Sequence, residues 1–211
     1  HTQRVTGQRG WGLQAFSHGP NLAEATPMAG YSDAVLADSV RLALPAEAGS
    51  IAALQRRGWQ QTLPAELVPD VLGSVDLATM TSSWETAILR PPLAQFRVLV
   101  AVEDTRVVGF AALGPSDDPD AEAGTDGLVA EFVVDPQAQR RGHGSRLLNA
   151  CVDTLAADGF TRATWWAHAS DDVLRRFLTD AGWAADGAHT EVAVAEGGPS
   201  LKLVRLHTAI G

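Results

Sequence analysis

The sequence predicts an α/β (α+β) fold, a mixed and mostly antiparallel central sheet of about six or seven strands flanked by about four helices. Three observations predict it. From residue 40 onward, short apolar runs alternate with stretches of helical period in the order β-α-α-β-β-β-α-β-α-β-β. Glycine, proline and aspartate clusters punctuate these runs. The chain has 211 residues, of which 45% are hydrophobic and 19% charged. That is an ordinary globular composition, long enough to bury roughly 70% of the unfolded surface without staples.

The elements follow in order. Residues 1–39 carry Gly7, Gly10, Gly12, Gly19 and Pro20 without a regular period. They are read as an N-terminal extension, appended or flexible, with Met28 available as a start. The alternative is an arm docked on a partner subunit through Trp11 and Phe16. A single domain is expected over 40–208. Residues 40–44 alternate and stop at Pro45, a short strand. Residues 46–57 carry Ile51 and Leu54 at helical spacing, and Gly58 suits the end of that helix. Residues 59–69 read as loop or broken helix, and 74–89 as a second helix closed by Pro91-Pro92. Strands at 97–102 and 107–113 flank a hairpin turn at 103–106. The acidic stretch 114–127 reads as a solvated loop. A strand at 128–134 ends at Asp135-Pro136, and the helix 144–158 has an apolar stripe of Leu147, Leu148, Cys151, Val152 and Leu155. A strand at 161–167, a helix at 171–181 and strands at 191–195 and 201–206 complete the order.

Composition excludes several function classes. Sixteen basic against 25 acidic residues give a net charge of −9. Nucleic acid and anionic membranes need a concentrated basic surface, so neither is expected as a partner. A cationic amine is tolerated. No run of 18 apolar residues is present, and the first 20 residues lack the apolar stretch of a secretory leader. The single cysteine, Cys151, excludes an intramolecular disulfide and fits a reducing, cytoplasmic setting. The six histidines are scattered, and no H-E-x-x-H, C-x-x-C or G-x-S-x-G occurs, so no metal site is expected.

The most informative segment runs from Val133 to Leu148. A strand ends, a short basic turn follows, and Gly142 and Gly144 open an amphipathic helix. Glycine lets the backbone approach a ligand closely, and the unpaired amides at a helix N-terminus favour a phosphate. Arg140 and Arg141 add positive charge there. The alternative is a tight strand-to-helix turn with no ligand. A dinucleotide fingerprint is excluded because Leu147 stands where the third glycine belongs.

Gln139-Arg140-Arg141-Gly142-His143-Gly144 matches the Q/R-x-x-G-x-G/A motif of the GNAT-type N-acetyltransferase superfamily, which the chain resembles over 40–208. Val133-Val134-Asp135-Pro136 is similar to that family's strand ending in V-x-P, and Ala181-Gly182-Trp183 to its G-F ending. Glu131 to Val134 with the Arg-rich turn, and Trp166-Ala167-His168, loosely resemble one half of mycothiol synthase. The resemblance implies acetyl-CoA as co-substrate. Its diphosphate would lie on the amides of Arg141, Gly142, His143, Gly144 and Ser145, beside Gln139 and Arg140. Its pantetheine would run along Phe132, Val133 and Val134. The implied acceptor is an amine of a small molecule or peptide, and such domains are often homodimers. A non-catalytic acyl-CoA-binding or sensor module of the same fold is the alternative.

Direct attack of an amine on a thioester needs positioning and modest acid–base help. Glu131 is the candidate base, sharing a face with Val133 while Phe132 and Val134 point to the core. The competing reading is a strand glutamate paired across the sheet, and a bulge would flip its face. Where many members carry a tyrosine acid, this chain has Leu178, and its one tyrosine, Tyr31, precedes the domain. Asp171 stands where the family often has an asparagine. The resemblance implies a pantetheine contact, while the residue itself reads as a helix cap. His168 is a further acid or base candidate. The acceptor lining is expected from Trp59, Gln60, Gln61, Leu63, Trp84 and Glu85.

Overall fold

The computed structural model describes residues 39–193 and 200–211. Trp11, Phe16, Met28 and Tyr31, and the last two residues of the strand expected at 191–195, lie outside the described residues. The strands are β1 (Ser39–Leu42), β2 (Arg97–Glu103), β3 (Arg106–Pro115), β4 (Asp126–Val134), β5 (Arg162–His168), β6 (Ala184–Ala193) and β7 (Ser200–Ala209). They form one sheet of order β1-β2-β3-β4-β5-β7-β6. Among the described strands, only β4 and β5 pair in parallel. The helices are α1 (Ala48–Thr62), α2 (Val68–Ser74), α3 (Leu77–Leu89), α4 (His143–Ala157) and α5 (Asp172–Asp180).

Strand period places the core on both faces of the sheet. In β2, Val98, Val100 and Val102 join a cluster with Ile51, Leu54, Met80 and Trp84 of α1 and α3. Leu99 and Ala101 of the same strand join Leu147, Cys151 and Leu155 of α4 and Leu178 of α5. Two covered faces explain why β2 and β3 read as nearly continuous apolar runs rather than polar–apolar alternation.

Three boundaries differ from the sequence expectation. Helix α1 does not stop at Gly58 but continues through it to Thr62. Gly58 is there for contact with the sheet: a Cβ at this position would lie 2.9 Å from Val133 Cγ1 of β4. Gly58→Val is therefore expected to destabilise the fold by about 1–3 kcal/mol through overpacking, more than the few tenths gained in helix propensity. Urea unfolding measures it, and an unchanged midpoint would show that Val133 gives way freely. The expected 74–89 helix is split. Helix α2 precedes it, and α3 starts after Asp76, whose carboxylate accepts from the Thr79 amide at 2.8 Å. Finally, β6 begins at Ala184, well before residue 191. It is an edge strand bonded only to β7, largely exposed and irregular between Ala185 and His189, so it lacks an apolar period.

The acidic segment is not simply solvated. Asp118 is buried and accepts from Trp166 Nε1 on β5 at 2.9 Å. Arg205 of β7 reaches Asp118, Asp120 and Asp186 at 3.4, 2.6 and 2.7 Å. Asp126 pairs with Arg162 at 3.3 Å. Charge neutralisation by two arginines distant in sequence lays this loop onto the sheet.

Candidate active site

The parallel pair opens the site. β4 and β5 are bonded only from Asp126↔Arg162 to Leu128↔Thr164, yet β4 continues to Val134 and β5 to His168. Beyond Leu128 the two strands part, and the β5-facing edge of β4 over 129–134 has no strand partner among the described residues. On the other side, β4 stays in register with β3 but for a bulge: Leu113 faces Val129, while Ala112 faces Glu131. A bulge adds a residue and increases local twist, which carries the end of β4 away from β5.

The bulge also sets the faces. Val129 and Phe132 pack into the cluster with α4 and α5, and Val133 packs toward α1. Glu131 shares the α1 side with Val133, as alternation from Val133 predicts. Phe132 packs into core as expected, and Val133 packs against the opposite core cluster. Phe132 stacks at 4.9 Å from Trp165 and 6.3 Å from Phe177, which anchors the strand where its edge is open.

After β4 the chain is held tightly and then exposes its amides. Asp135 donates its N–H to Val108 O at 2.8 Å. Its carboxylate accepts from the Gln137 amide at 3.0 Å and from Arg57 at 3.1 Å. Gln139 Nε2 donates to Val134 O at 3.3 Å. Arg140 and Gly142 both adopt left-handed backbone, with φ of 62° and 84°. Gly142 is the N-cap of α4, and the first amide to find a backbone acceptor is that of Arg146, bonded to Gly142 O at 3.1 Å. The N–H groups from Arg141 to Ser145 have no acceptor among the described residues. Alternating backbone hands turn successive amides into one concave nest suited to an anion.

The side chains of this turn divide their roles. Arg140 is exposed and makes no ion pair among the described residues. Arg141 is bound by Glu103 at the end of β2, so its charge is spent outside the nest and only its amide serves it. His143 has its ring fully buried, with Nε2 3.5 Å from Glu103 Oε1 and Nδ1 3.1 Å from Arg146. Glu103, which sequence reading did not single out, thus clamps the turn from the β2–β3 hairpin.

Glu131 is partly exposed where the strands part. Burial pushes its carboxyl up to about 7, opposed by Gln55 of α1, which favours the charged form. His168 ends β5 on the far side of the opening. Burial lowers its pKa, against the Thr62 backbone and the Asp171 charge. Asp171 N-caps α5, accepting from the Leu174 amide at 2.9 Å. Leu178 is fully buried, and its side chain offers no hydroxyl. Cys151 is buried with its thiol pushed far up, so it is inert packing. Trp59, Leu63 and Trp84 are core, whereas Gln60, Gln61 and Glu85 are exposed. Among the described residues no three His, Cys, Asp or Glu side chains converge as metal ligands would.

Residues 66–183, more than half of the chain, match the Acetyltransferase (GNAT) family. The chain belongs to this family. Its GNAT fold resembles yncA of Salmonella typhimurium, solved with its cofactor acetyl-CoA, at 19% identity and a TM-score of 0.64 over 83% of this chain and 95% of that one. It also resembles the ribosomal-protein-alanine N-acetyltransferase of Brucella melitensis, at 20% identity and a TM-score of 0.64 over 82% and 99%. Among curated proteins it is 33% identical to the mycothiol acetyltransferase of Rhodococcus erythropolis over 57% of this chain and 38% of that protein. It is 36% identical to the mycothiol acetyltransferase of Mycolicibacterium gilvum over 52% and 36%. The GNAT domain thus spans little more than a third of these relatives.

The two glycines of the GNAT turn are not equivalent. A Cβ on Gly144 would meet only ordinary contacts, 3.7 Å from Phe177 Cζ, whereas Gly142 has a backbone that L side chains resist. Gly142→Ala costs about 1–2 kcal/mol at such a φ. It is expected to weaken CoA binding by about 5–30-fold, measured by calorimetry, with Gly144→Ala near wild type. Equal affinity for both variants would show that the nest does not carry the anion.

Proposed function

We propose that this GNAT domain is an acetyl-CoA-dependent N-acetyltransferase that passes the acetyl group to an amine of a small molecule or peptide by direct attack in a ternary complex. One observation carries the reading: an open strand edge at 129–134 leads into a nest of unpaired amides at 141–145. A chain of amide groups ending in a diphosphate, as in CoA, fits both parts. The nest and Arg140 hold the diphosphate, the edge at Phe132, Val133 and Val134 pairs with the pantetheine, and Gln139 and Asp171 border it. Bound acetyl-CoA supplies an activated thioester. Glu131, partly exposed beside the opening and poised near neutrality, takes the proton from the incoming ammonium. Among the described residues there is no tyrosine to return a proton, so the thiolate leaves with help from water or His168.

The named relatives make the amine accepted by mycothiol acetyltransferases the first acceptor to try. Residues 40–208 are proposed as one such domain, cytoplasmic, with the extension 1–39 able to complete a homodimer. Sedimentation of the full chain against a version starting at Met28 tests that part. A second reading, a non-catalytic acyl-CoA sensor, draws on the buried Leu178. Calorimetry with CoA followed by thiol release over an amine panel separates them. Binding with turnover supports the enzyme, binding with no turnover supports the sensor, and no binding removes both.

A further inference from the structure

We propose that Gln55 is a positioning residue for Glu131: the Trp84 indole locks the Gln55 amide in one orientation, so that its N–H pair is presented to the carboxyl of the base. This rests on the reading of Glu131 as the base.

Gln55 is fully buried at 0% exposure, on the face of α1 otherwise made of Ile51, Ala52, Leu54, Gly58 and Trp59. An amide in such a stripe costs stability unless its polar ends are used. One end is used: Trp84 of α3, 1% exposed and edge-on to Phe110 at 5.2 Å, donates Nε1–H to Gln55 Oε1 at 2.9 Å. An indole nitrogen only donates. The amide oxygen is therefore committed to Trp84, and the nitrogen must point away from it. Among the described residues Gln55 Nε2 makes no other hydrogen bond that would hold it away from β4.

The packing of α1 on β4 brings Gln55 to the side of the sheet that carries Glu131. Gly58, one turn beyond Gln55, is seated directly on Val133, and Glu131 lies two residues before Val133 on the same side of β4. Gln55 also favours ionised Glu131 against its burial. A donor aimed at a carboxyl is satisfied best when the carboxyl is charged, so the amide orientation sets where the base titrates.

The charged groups on the surrounding elements are engaged elsewhere. Arg56 of α1 bonds the Leu72 and Val75 carbonyls, and Arg57 bonds Asp135. β3 presents Ala112 opposite Glu131. On β5, His168 is tied to the Thr62 backbone and feels Asp171. Glu85 of α3 is exposed.

The test is a carbon-13 titration of the Glu131 carboxyl in the full chain, with the resonance assigned by its loss in Glu131→Gln. The wild-type midpoint is expected at about 7. Gln55→Met, similar in volume but without a donor, should raise it by about half a unit or more. Trp84→Phe, which frees the amide to turn, should raise it by less. The pH profile of acetyl transfer should move by the same amounts. An unmoved midpoint overturns the proposal, even where activity falls, because that outcome means packing alone. If Gln55→Met does not fold, Trp84→Phe decides. Full activity in Glu131→Gln would remove the base reading while the titration still reports whether Gln55 and Glu131 are coupled.

Discussion

Glu131→Gln is expected to lower acetyl transfer to an amine by about 10²–10⁴-fold, the range for loss of a general base, while CoA affinity stays near wild type. The nest proposed to hold the diphosphate begins ten residues further along the chain, at Arg141, and does not involve this side chain. The pH dependence follows from the raised carboxyl. Only the ionised form accepts a proton, so wild-type kcat should fall as the pH drops below about 7, the value to which burial pushes Glu131. The residual activity of the variant should lack that limb. Stability should move the other way. A carboxyl raised in the fold favours the neutral form, so its contribution is full below the ordinary value of 4.5 and is lost as the pH rises through about 7. Glutamine cannot ionise, and the variant should be at least as stable as wild type at pH 8. A variant with full turnover at every pH would leave proton removal to water.

The parts of the site legible in the sequence are those set by neighbours along the chain. The turn at 139–145 needs a left-handed residue, free amides and a helix start, and Gly142 and the strand before it announce all three. The hairpin at 103–106 is local in the same way, with Asp104 at a φ of 54°. What sequence reading missed is set by residues far away. Gly58 looks like a helix stop until Val133, 75 positions later, shows that it is a contact point. Gln55 could have been flagged as a polar residue inside an apolar helical stripe, but its meaning needs Trp84 and Glu131 together. Helix α2 was hidden by Pro69, which reads as a breaker and stands in the first turn, where a missing N–H costs nothing. Glu103 carries no local sign that it will clamp Arg141.

Arg205→Met should cost about 3–5 kcal/mol at pH 7, the range for removing one partner of a buried ion pair. The Arg205 side chain is 7% exposed, and those of Asp118 and Asp186 are 2% and 15% exposed. Its guanidinium binds Asp120 through two nitrogens at 2.6 and 2.7 Å, bonds Asp186 at 2.7 Å and lies 5.6 Å from the centre of the Trp166 ring. Methionine fills much of the same volume but takes this counter-charge from Asp118 and Asp120, while Asp186 keeps Arg162 at 2.8 Å. Asp118 keeps its Trp166 donor at 2.9 Å, but a neutral indole N–H does not replace the lost charge. Asp120 is 64% exposed and contributes little by itself. Arg205→Lys keeps the charge but not the planar fork that serves three carboxylates, so it should fall between the two. The acid limb gives the sign. Hydrogen bonding from Arg205 lowers the Asp120 pKa below 3.8. The Asp186 pKa is lowered too, by the Ala188 amide and Arg205 against its burial. Depressed carboxylates add stability above about 3.8 that is lost as the pH falls through their folded values. Wild type should therefore lose stability in acid faster than Arg205→Met, and the gap between them should narrow below that pH. Urea unfolding at pH 7 and pH 3 measures both. A loss under about 1 kcal/mol at pH 7 would mean that the loop over 116–125 is held without this arginine.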